Sequence, residues 1–359
     1  MIGIDRLDRY IARVFLSSWL ASTTLFVGLF GVVDFFGKID DLIENSSSAG
    51  AGVAMIGRMY LCRVPSIFVQ VAPFVMLMSA LFALIRLQRH GELMAIFMTG
   101  RSPMRVLAPI LGMTLMCMVV LVVAQEVLIP RLALQRANDE AVLIHGKPDW
   151  VLNTTIKDAS GQILNVVDYH VQSQTIGKLQ ASGTDERGRS RLTYGEDAVY
   201  DESAGGWRLH NGRLEVRARD AETPEIIVDA AFLRTDVRPQ DVMLEKQQPF
   251  DLSFREVLER SERYPQSARW KLLRHYHITY PLSVLLLVML GVPFVLKRRH
   301  RGNLIGLGIA LLLCVGYLGV DVIVRDLGVA GYLPPVIAAW LPVILAGSLS
   351  VVLFDTLET

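Results

Sequence analysis

The stretch RLQRHGELMAIFMTGRS, Arg86–Ser102, lies between two runs that carry no charge at all, Val64–Ile85 and Val106–Ala124. Each run is close to the roughly 20 residues that a helix needs to cross a hydrocarbon layer. The stretch itself holds Arg86, Arg89, Glu92 and Arg101, too many ionic groups to follow its neighbours into a bilayer. Its middle is nevertheless apolar: Leu93, Met94, Ile96, Phe97 and Met98 recur at helical spacing. The pattern predicts a short helix, over about residues 87–100, placed in a tight loop between two membrane spans.

Working outward, four more charge-free runs of spanning length appear: Val14–Val33, Ile278–Leu296, Gly302–Val320 and Leu327–Phe354. The expectation is six transmembrane helices. Arg6, Arg9 and Arg13 ahead of the first run imitate the basic region of a signal peptide. That run is longer than a usual signal core, and no small-residue cleavage site follows in GVVDFFGKIDD, so an uncleaved span is the better reading. Basic residues of the short loops concentrate on one side. The leading segment has Arg6, Arg9 and Arg13, the second loop Arg86, Arg89, Arg101 and Arg105, and the fourth Lys297, Arg298, Arg299 and Arg301. The other side has Lys38, Arg58, Arg63 and Arg325. The positive-inside rule then puts both termini in the cytoplasm.

The segment from about Val127 to His277 falls on the far side and is long enough for one domain. Its pattern is β: ILNVVDYHV (Ile163–Val171), RLTYGEDAVY (Arg191–Tyr200) and EIIVDAAFL (Glu225–Leu233) are rich in strand formers. In WRLHNGRLEVRAR, Trp207 and Leu209 alternate with polar residues, Asn211-Gly212 offers a type I′ turn, and Leu214, Val216 and Ala218 alternate again, which predicts a hairpin. Such strands at short spacing imply a sandwich or jellyroll. ENSSSAGAG, Glu44–Gly52, reads as a flexible loop. Ser253 and Glu256 in DLSFREVLERSERY form a capping box, so a helix should start there. The expected organisation is residues 1–128 for spans one to three with the short helix, 129–265 for the β domain with its trailing helix, and 266–359 for spans four to six.

Several chemistries are absent. The chain has no P-loop, no HExxH and no nucleophile elbow, so it should not be an enzyme. The net charge of +1 says nothing about partners, and no nucleic acid is expected. The three cysteines, Cys62, Cys117 and Cys314, lie in or beside spans and form no metal or redox pair. His275 and His277 have no further ligand partners, and no metal is expected. Asp34, Glu126 and Asp321 fall toward the outer ends of spans, which leaves no clear midplane ion relay. Any transport would draw its energy from elsewhere.

Four segments occur in order: LDRYIARVFL at the start, LIRLQRHGELMAIFMTGRSPMRVLAP after span two, YPLSVLLLVMLGVPF in span four and GYLPPVIAAWLP opening span six. With six spans enclosing an outward β domain, the whole chain resembles the LptF/LptG (YjgP/YjgQ) permeases of the lipopolysaccharide exporter. The LDRY opening and the PP before span six resemble LptG more than LptF. The resemblance implies a bacterial inner-membrane protein whose β jellyroll is periplasmic. It also implies four partners: a second, LptF-like permease; a dimeric cytoplasmic LptB-like ABC ATPase carrying the ATP and Mg; an LptC/LptA-like periplasmic bridge; and lipopolysaccharide as cargo.

The same resemblance makes GELMAIFMTGRS a coupling helix docking on the ATPase. Glu92, favoured at a helix N-terminus, would pair with a partner arginine. Leu93, Ile96 and Phe97 would fill an apolar groove, flanked by Arg89 and Arg101. Taken alone, the pattern equally fits an interfacial helix resting in lipid. Lys38, Arg58 and Arg63, with Arg269, Lys271 and Arg274 before span four, are candidates to meet lipid phosphates or simply to anchor the spans. The family often has further basic residues at the end of span one, whereas VVDFFGKIDD has Lys38 alone among acids. Phe26 and Phe30 of span one are candidates for acyl-chain contact. So are Val166, Leu209, Leu214 and Val216 of the β domain, although a sealed core would read the same. Spans one and five line the entry gate in the family, and Gly306, Gly308 and Gly316 would let span five approach a neighbour closely. Two other readings fit the same residues: an ABC-type permease for another amphiphile, and a membrane-anchored scaffold or sensor.

Overall fold

The computed structural model describes residues 6–40, 53–133, 150–158, 160–170, 173–184, 189–217, 225–228, 230–239, 241–242, 251–297 and 303–358. The helices, in chain order, are α1 (Arg6–Gly37), α2 (Val53–Arg89), the short α3 (Glu92–Met98) and α4 (Pro103–Val123). After the β domain come α5 (Phe254–Arg263), α6 (Ala268–Lys297), α7 (Asn303–Val329) and α8 (Pro335–Glu358). α4 continues through a π-helical turn, Ala124–Leu128. Among the described residues six helices are long and apolar enough to cross a membrane, in the order and places the charge-free runs indicated. Residues Glu44–Gly52, Ala218 and the basic run Arg298–Arg301 lie outside the described residues.

The six long helices are not equivalent. The apolar window of α2 is 78% buried and that of α6 67%, against 6% for α1 and 17% for α7. α2 and α6 therefore form the centre of the bundle, and α1 and α7 its outer faces. Between α2 and α6 a proline creates the main polar tie. Pro73 has no N–H, so the carbonyl of Val69, four residues earlier, loses its helical donor. The buried Tyr280 hydroxyl of α6 donates to that carbonyl instead. An unpaired carbonyl in hydrocarbon is costly, which makes this repair a specific adhesive between two otherwise apolar surfaces. Gln88 Nε2 of α2 likewise donates to the Val295 carbonyl of α6, at 3.0 Å.

Of the three glycines expected to bring span five close to a neighbour, Gly306 does so. A Cβ there would lie 2.9 Å from the Phe294 carbonyl, while Gly308 and Gly316 face open space. Asp321 lies deeper than expected. It is eight residues before the end of α7, about 12 Å along the axis at 1.5 Å per residue. Tyr276 donates to it at 3.3 Å, and Arg325 donates to the Tyr276 hydroxyl at 3.1 Å, so one hydroxyl links the acid and the base within the span.

The β domain sits between α4 and α5 and is wholly antiparallel, a jellyroll-like fold. Its strands are β1 (Trp150–Lys157), β2 (Ile163–His170), β3 (Thr175–Thr184), β4 (Ser190–Gly195) and β5 (Asp197–Asp201). Four more complete it: β6 (Gly206–His210), β7 (Arg213–Arg217), β8 (Glu225–Val228) and β9 (Phe232–Arg234). β3 is long enough to hold two neighbours along one edge, β4 at residues 179–184 and β5 at 175–176. The sheet forks there into β4-β7-β8 and β5-β6-β9. Trp207, Tyr169, Val166 and Leu209 are buried in its core.

The fork corrects the hairpin expectation. β6 pairs with β5 and β9, and β7 with β4 and β8, so the strands flanking Asn211-Gly212 part company. A type I′ turn needs positive φ at both central residues. Asn211 has φ 51°, and Gly212 is not in that region. Gly212 serves another need: a Cβ there would lie 1.9 Å from the Ala230 carbonyl, whose N–H donates to Gly212.

Tyr280→Phe should destabilise the full-length chain in detergent by about 1–3 kcal/mol, the cost of an orphaned buried carbonyl. Adding Pro73→Ala should recover most of the loss by returning a helical N–H to Val69. A double variant no more stable than Tyr280→Phe in a reversible unfolding measurement would disprove the repair.

Candidate functional site

The loop that opened the sequence reading is strapped down at both ends by α1. Tyr10 donates to both carboxylate oxygens of Glu92, at 2.9 and 2.8 Å. Arg105, at the start of α4, bonds Asp8 at 3.0 Å. Arg86 donates to the Ser17 hydroxyl at 3.4 Å. Gly91 and Gly100 flank α3 with φ of 72° and 78°, a backbone region that L-residues with side chains seldom adopt, and so let the chain enter and leave one short turn of helix.

This anchoring redistributes the apolar face. Leu93 is 5% exposed inside the bundle core, and Ile96 and Phe97 are half-buried against it. They belong to the chain's own interior, because helical spacing turns all three toward α2. The outward surface carries Met94 and Ala95, with Met98 82% exposed, and Arg89 and Arg101 are exposed beside it. Glu92 is half-buried and held by Tyr10.

At the opposite end of the bundle, Lys38 and Arg63 share one acid, Asp34, at 3.8 and 3.0 Å. Two of the four candidate phosphate-binding cations are thereby brought together and partly neutralised. Arg58 is exposed on α2, and Arg274 is half-buried on α6. Phe26 stacks on Phe74 of α2 with centroids 6.2 Å apart, while Phe30 is exposed. Val166 and Leu209 are buried in the β core. Leu214 and Val216 lie on β7 outside that cluster.

A junction that the sequence did not announce joins the β domain to three spans. Residues 251–254 touch each in turn. Ser66 of α2 donates to Asp251 at 2.9 Å, and His277 of α6 meets the Leu252 carbonyl at 2.9 Å. The Phe254 N–H donates to Glu126, in the π-helical turn of α4, at 2.8 Å. The expected capping box is present: Ser253 accepts from the Glu256 N–H, and Glu256 accepts from the Ser253 N–H. His277 also uses its second nitrogen on a carbonyl, that of Leu273. Among the described residues no three His, Cys, Asp or Glu side chains converge on a metal-sized space.

One turn beyond, Asp241 of the β domain accepts from Arg260 at 3.2 Å and from the Tyr264 hydroxyl at 2.9 Å, with the Arg260 guanidinium 4.9 Å above Trp270. Burial, and then the nearby Asp241 carboxylate, push the Tyr264 phenol above its ordinary value. Capping chemistry located α5, but no local pattern marked Asp241, Ser66 or Glu126 as partners.

Six long apolar helices, an antiparallel domain inserted between the third and fourth, and a short strapped helix at the far end define a multi-pass helical membrane protein with an inserted β domain. The chain belongs to the lipopolysaccharide export system permease LptF/LptG family, whose model matches residues 9–356. No individual curated protein matches it.

Asp241→Asn should destabilise the junction by about 3–5 kcal/mol, because the buried Arg260 guanidinium loses the carboxylate that it meets at 3.2 Å. Tyr264→Phe should cost about 1 kcal/mol, one hydrogen bond. The raised phenol pKa means the Tyr264 contribution is fully present below the ordinary phenol value near 10 and is lost as pH rises beyond it. Hydrogen exchange at α5 amides, compared across pH in the parent and Tyr264→Phe, checks both; an identical alkaline response would contradict the assignment.

Proposed function

We propose that this chain is a non-catalytic permease subunit of an ATP-driven lipopolysaccharide extractor in the bacterial inner membrane. Both termini lie in the cytoplasm and the β domain in the periplasm. Cargo enters from the outer leaflet between the spans and leaves through the β domain toward an LptC/LptA-like bridge. A second, LptF-like permease completes the cavity, and a dimeric LptB-like ATPase supplies force, holding the ATP and Mg that this chain has no motif to bind.

The observation that carries the reading is the strapped α3 helix in a chain of this family. α3 is clamped to α1 by Tyr10–Glu92 and through Asp8–Arg105 to the start of α4, and Leu93 seats it in the core. Force applied to the Met94 and Met98 face would therefore pass to three spans at once. The docking surface is Met94, Ala95 and Met98 with Arg89 and Arg101, not the Leu93 face; methionines adapt well to a partner groove. Glu92 serves by fixing the helix to Tyr10 as well as by its charge.

The outer positions of α1 and α7 support a role for them in cargo entry, since the most exposed spans are the ones free to face lipid or the second permease. Phosphate contact by Lys38, Arg58, Arg63 and Arg274, and acyl contact by Phe26, Phe30, Leu214 and Val216, complete the reading. Asp34 would release Lys38 and Arg63 to an incoming phosphate.

Mild-detergent purification of the tagged chain from its native host should recover an ABC ATPase, a six-span partner and lipopolysaccharide. Met94→Asp with Met98→Asp, or Glu92→Arg, should lower coupled ATP hydrolysis by about tenfold or more, the effect of burying an unpaired charge in a docked groove, with the chain still inserted and folded. Unchanged lipid export by these variants would favour a scaffold that moves nothing, and a different co-purified lipid would change the cargo.

A further inference from the structure

The permease reading assigns cargo handling in the β domain to apolar strand faces. A different surface of that domain is more sharply built. A cleft of about 1370 Å³ opens where the β1–β2 turn, the end of β3, the start of β4 and the β5–β6 turn meet the segment after β9. Five arginines line it: Arg189, Arg191, Arg234, Arg238 and Arg263. They come from three separate stretches of chain, at residues 189–191, 234–238 and 263, and the forked sheet helps to gather them. No single helix or strand face would present them together.

Two acids, Asp158 and Asp236, also line the cleft, which leaves the lining cationic. Asp158 is engaged internally. It is buried and accepts from the Ser160 hydroxyl at 2.6 Å, the Gln162 N–H at 2.8 Å and the Thr235 hydroxyl at 3.2 Å, and so holds the β1–β2 turn that forms one wall. Arg263 is partly committed to Asp241 at 3.7 Å and Glu259 at 3.6 Å. Arg191, Arg234 and Arg238 are exposed, and among the described residues no ion pair holds them. The rest of the wall is mostly hydroxyl, amide and backbone, with Ser182 and Thr184 opposite Gln162; Ile163 and the ring of Tyr200 are its only apolar side-chain surfaces.

Such a wall is wrong for acyl chains, whose burial would desolvate the arginines without return. It is equally poor for a protein partner, since stable protein interfaces centre on apolar and aromatic anchors. It suits a ligand rich in phosphates and hydroxyls. Guanidinium forks bind phosphate oxygens in pairs, and the hydroxyl and amide wall matches sugar hydroxyls.

We infer that this cleft binds the phosphorylated saccharide headgroup of the amphiphilic cargo. The inference rests on the permease reading but assigns a site that reading does not use. The headgroup is held at the polar end of the β domain while the acyl chains lie elsewhere.

The test uses the full chain in nanodiscs and, as the probe, the fully deacylated, phosphorylated oligosaccharide of lipopolysaccharide, titrated calorimetrically. The phosphorylated form should bind about tenfold or more tightly than the same oligosaccharide after phosphatase treatment, as expected for two or three charge-assisted contacts. Arg191→Glu with Arg238→Glu should weaken binding by about tenfold or more on the same grounds. The neutral pair Arg191→Gln with Arg238→Gln should fall between and keep the parent's unfolding midpoint; it decides the matter should the reversed pair fold poorly. Equal affinity for the two oligosaccharides, or unchanged affinity in the neutral pair, overturns the inference. Displacement of the probe by a polyglutamate peptide at lower concentration would overturn it in favour of a protein-binding surface. Absence of oligosaccharide binding in a chain that still co-purifies with lipopolysaccharide and ATPase removes the cleft and leaves the permease reading intact.

Discussion

A missing N–H organises the bundle. Pro73 deprives Val69 of its helical donor in a setting where water cannot replace it, and the Tyr280 hydroxyl supplies the bond from α6. Apolar surfaces gain little from meeting one another inside a bilayer, because lipid is as apolar as leucine; packing and satisfied polar groups decide which helices associate. α2 and α6 are the pair so joined, and they are also the pair most enclosed. α1 and α7 are the least buried of the spans.

From this centre the two working ends of the protein are held by short polar ties. At one end α3 is locked by Tyr10 and seated by Leu93, and through Asp8 and Arg105 it shares its footing with α1 and α4. At the other, residues 251–254 bind α2, α4 and α6 within four positions, and Asp241 with Arg260 and Tyr264 continues that tie into the β domain. Each buried polar group there has a partner, as burial requires. The β domain is thus fastened to helices that themselves reach α3, which gives a physical route from the face of α3 to the sheet through rigid, hydrogen-bonded elements.

The β domain separates two chemistries. Trp207, Tyr169, Val166 and Leu209 close an apolar core, while the turns at one end gather arginines around a polar cleft. The forked sheet makes this possible: β3 carries a neighbour at each end of one edge, so loops distant in sequence converge. Asn211-Gly212, which by its residues alone announces a hairpin, instead carries the chain from one branch of the fork to the other.

The sequence by itself determined the number and order of the spans, the β character of the insertion, the cap of α5 and the existence of a short helix at Arg86–Ser102. Those features depend on local composition and period, which are legible along one chain: charge-free length, alternation, a capping box. Ordered motifs over the whole length also carried the family. Tertiary structure alone decided which spans are central, that Leu93 faces inward and Met98 outward, that Lys38 and Arg63 share Asp34, and that β6 and β7 separate. It alone brought Asp241 to Arg260 and five scattered arginines to one cleft. The physical reason is common to all of these. Burial and pairing are properties of two surfaces, and the second surface lies up to hundreds of residues away, where no period or spacing points to it.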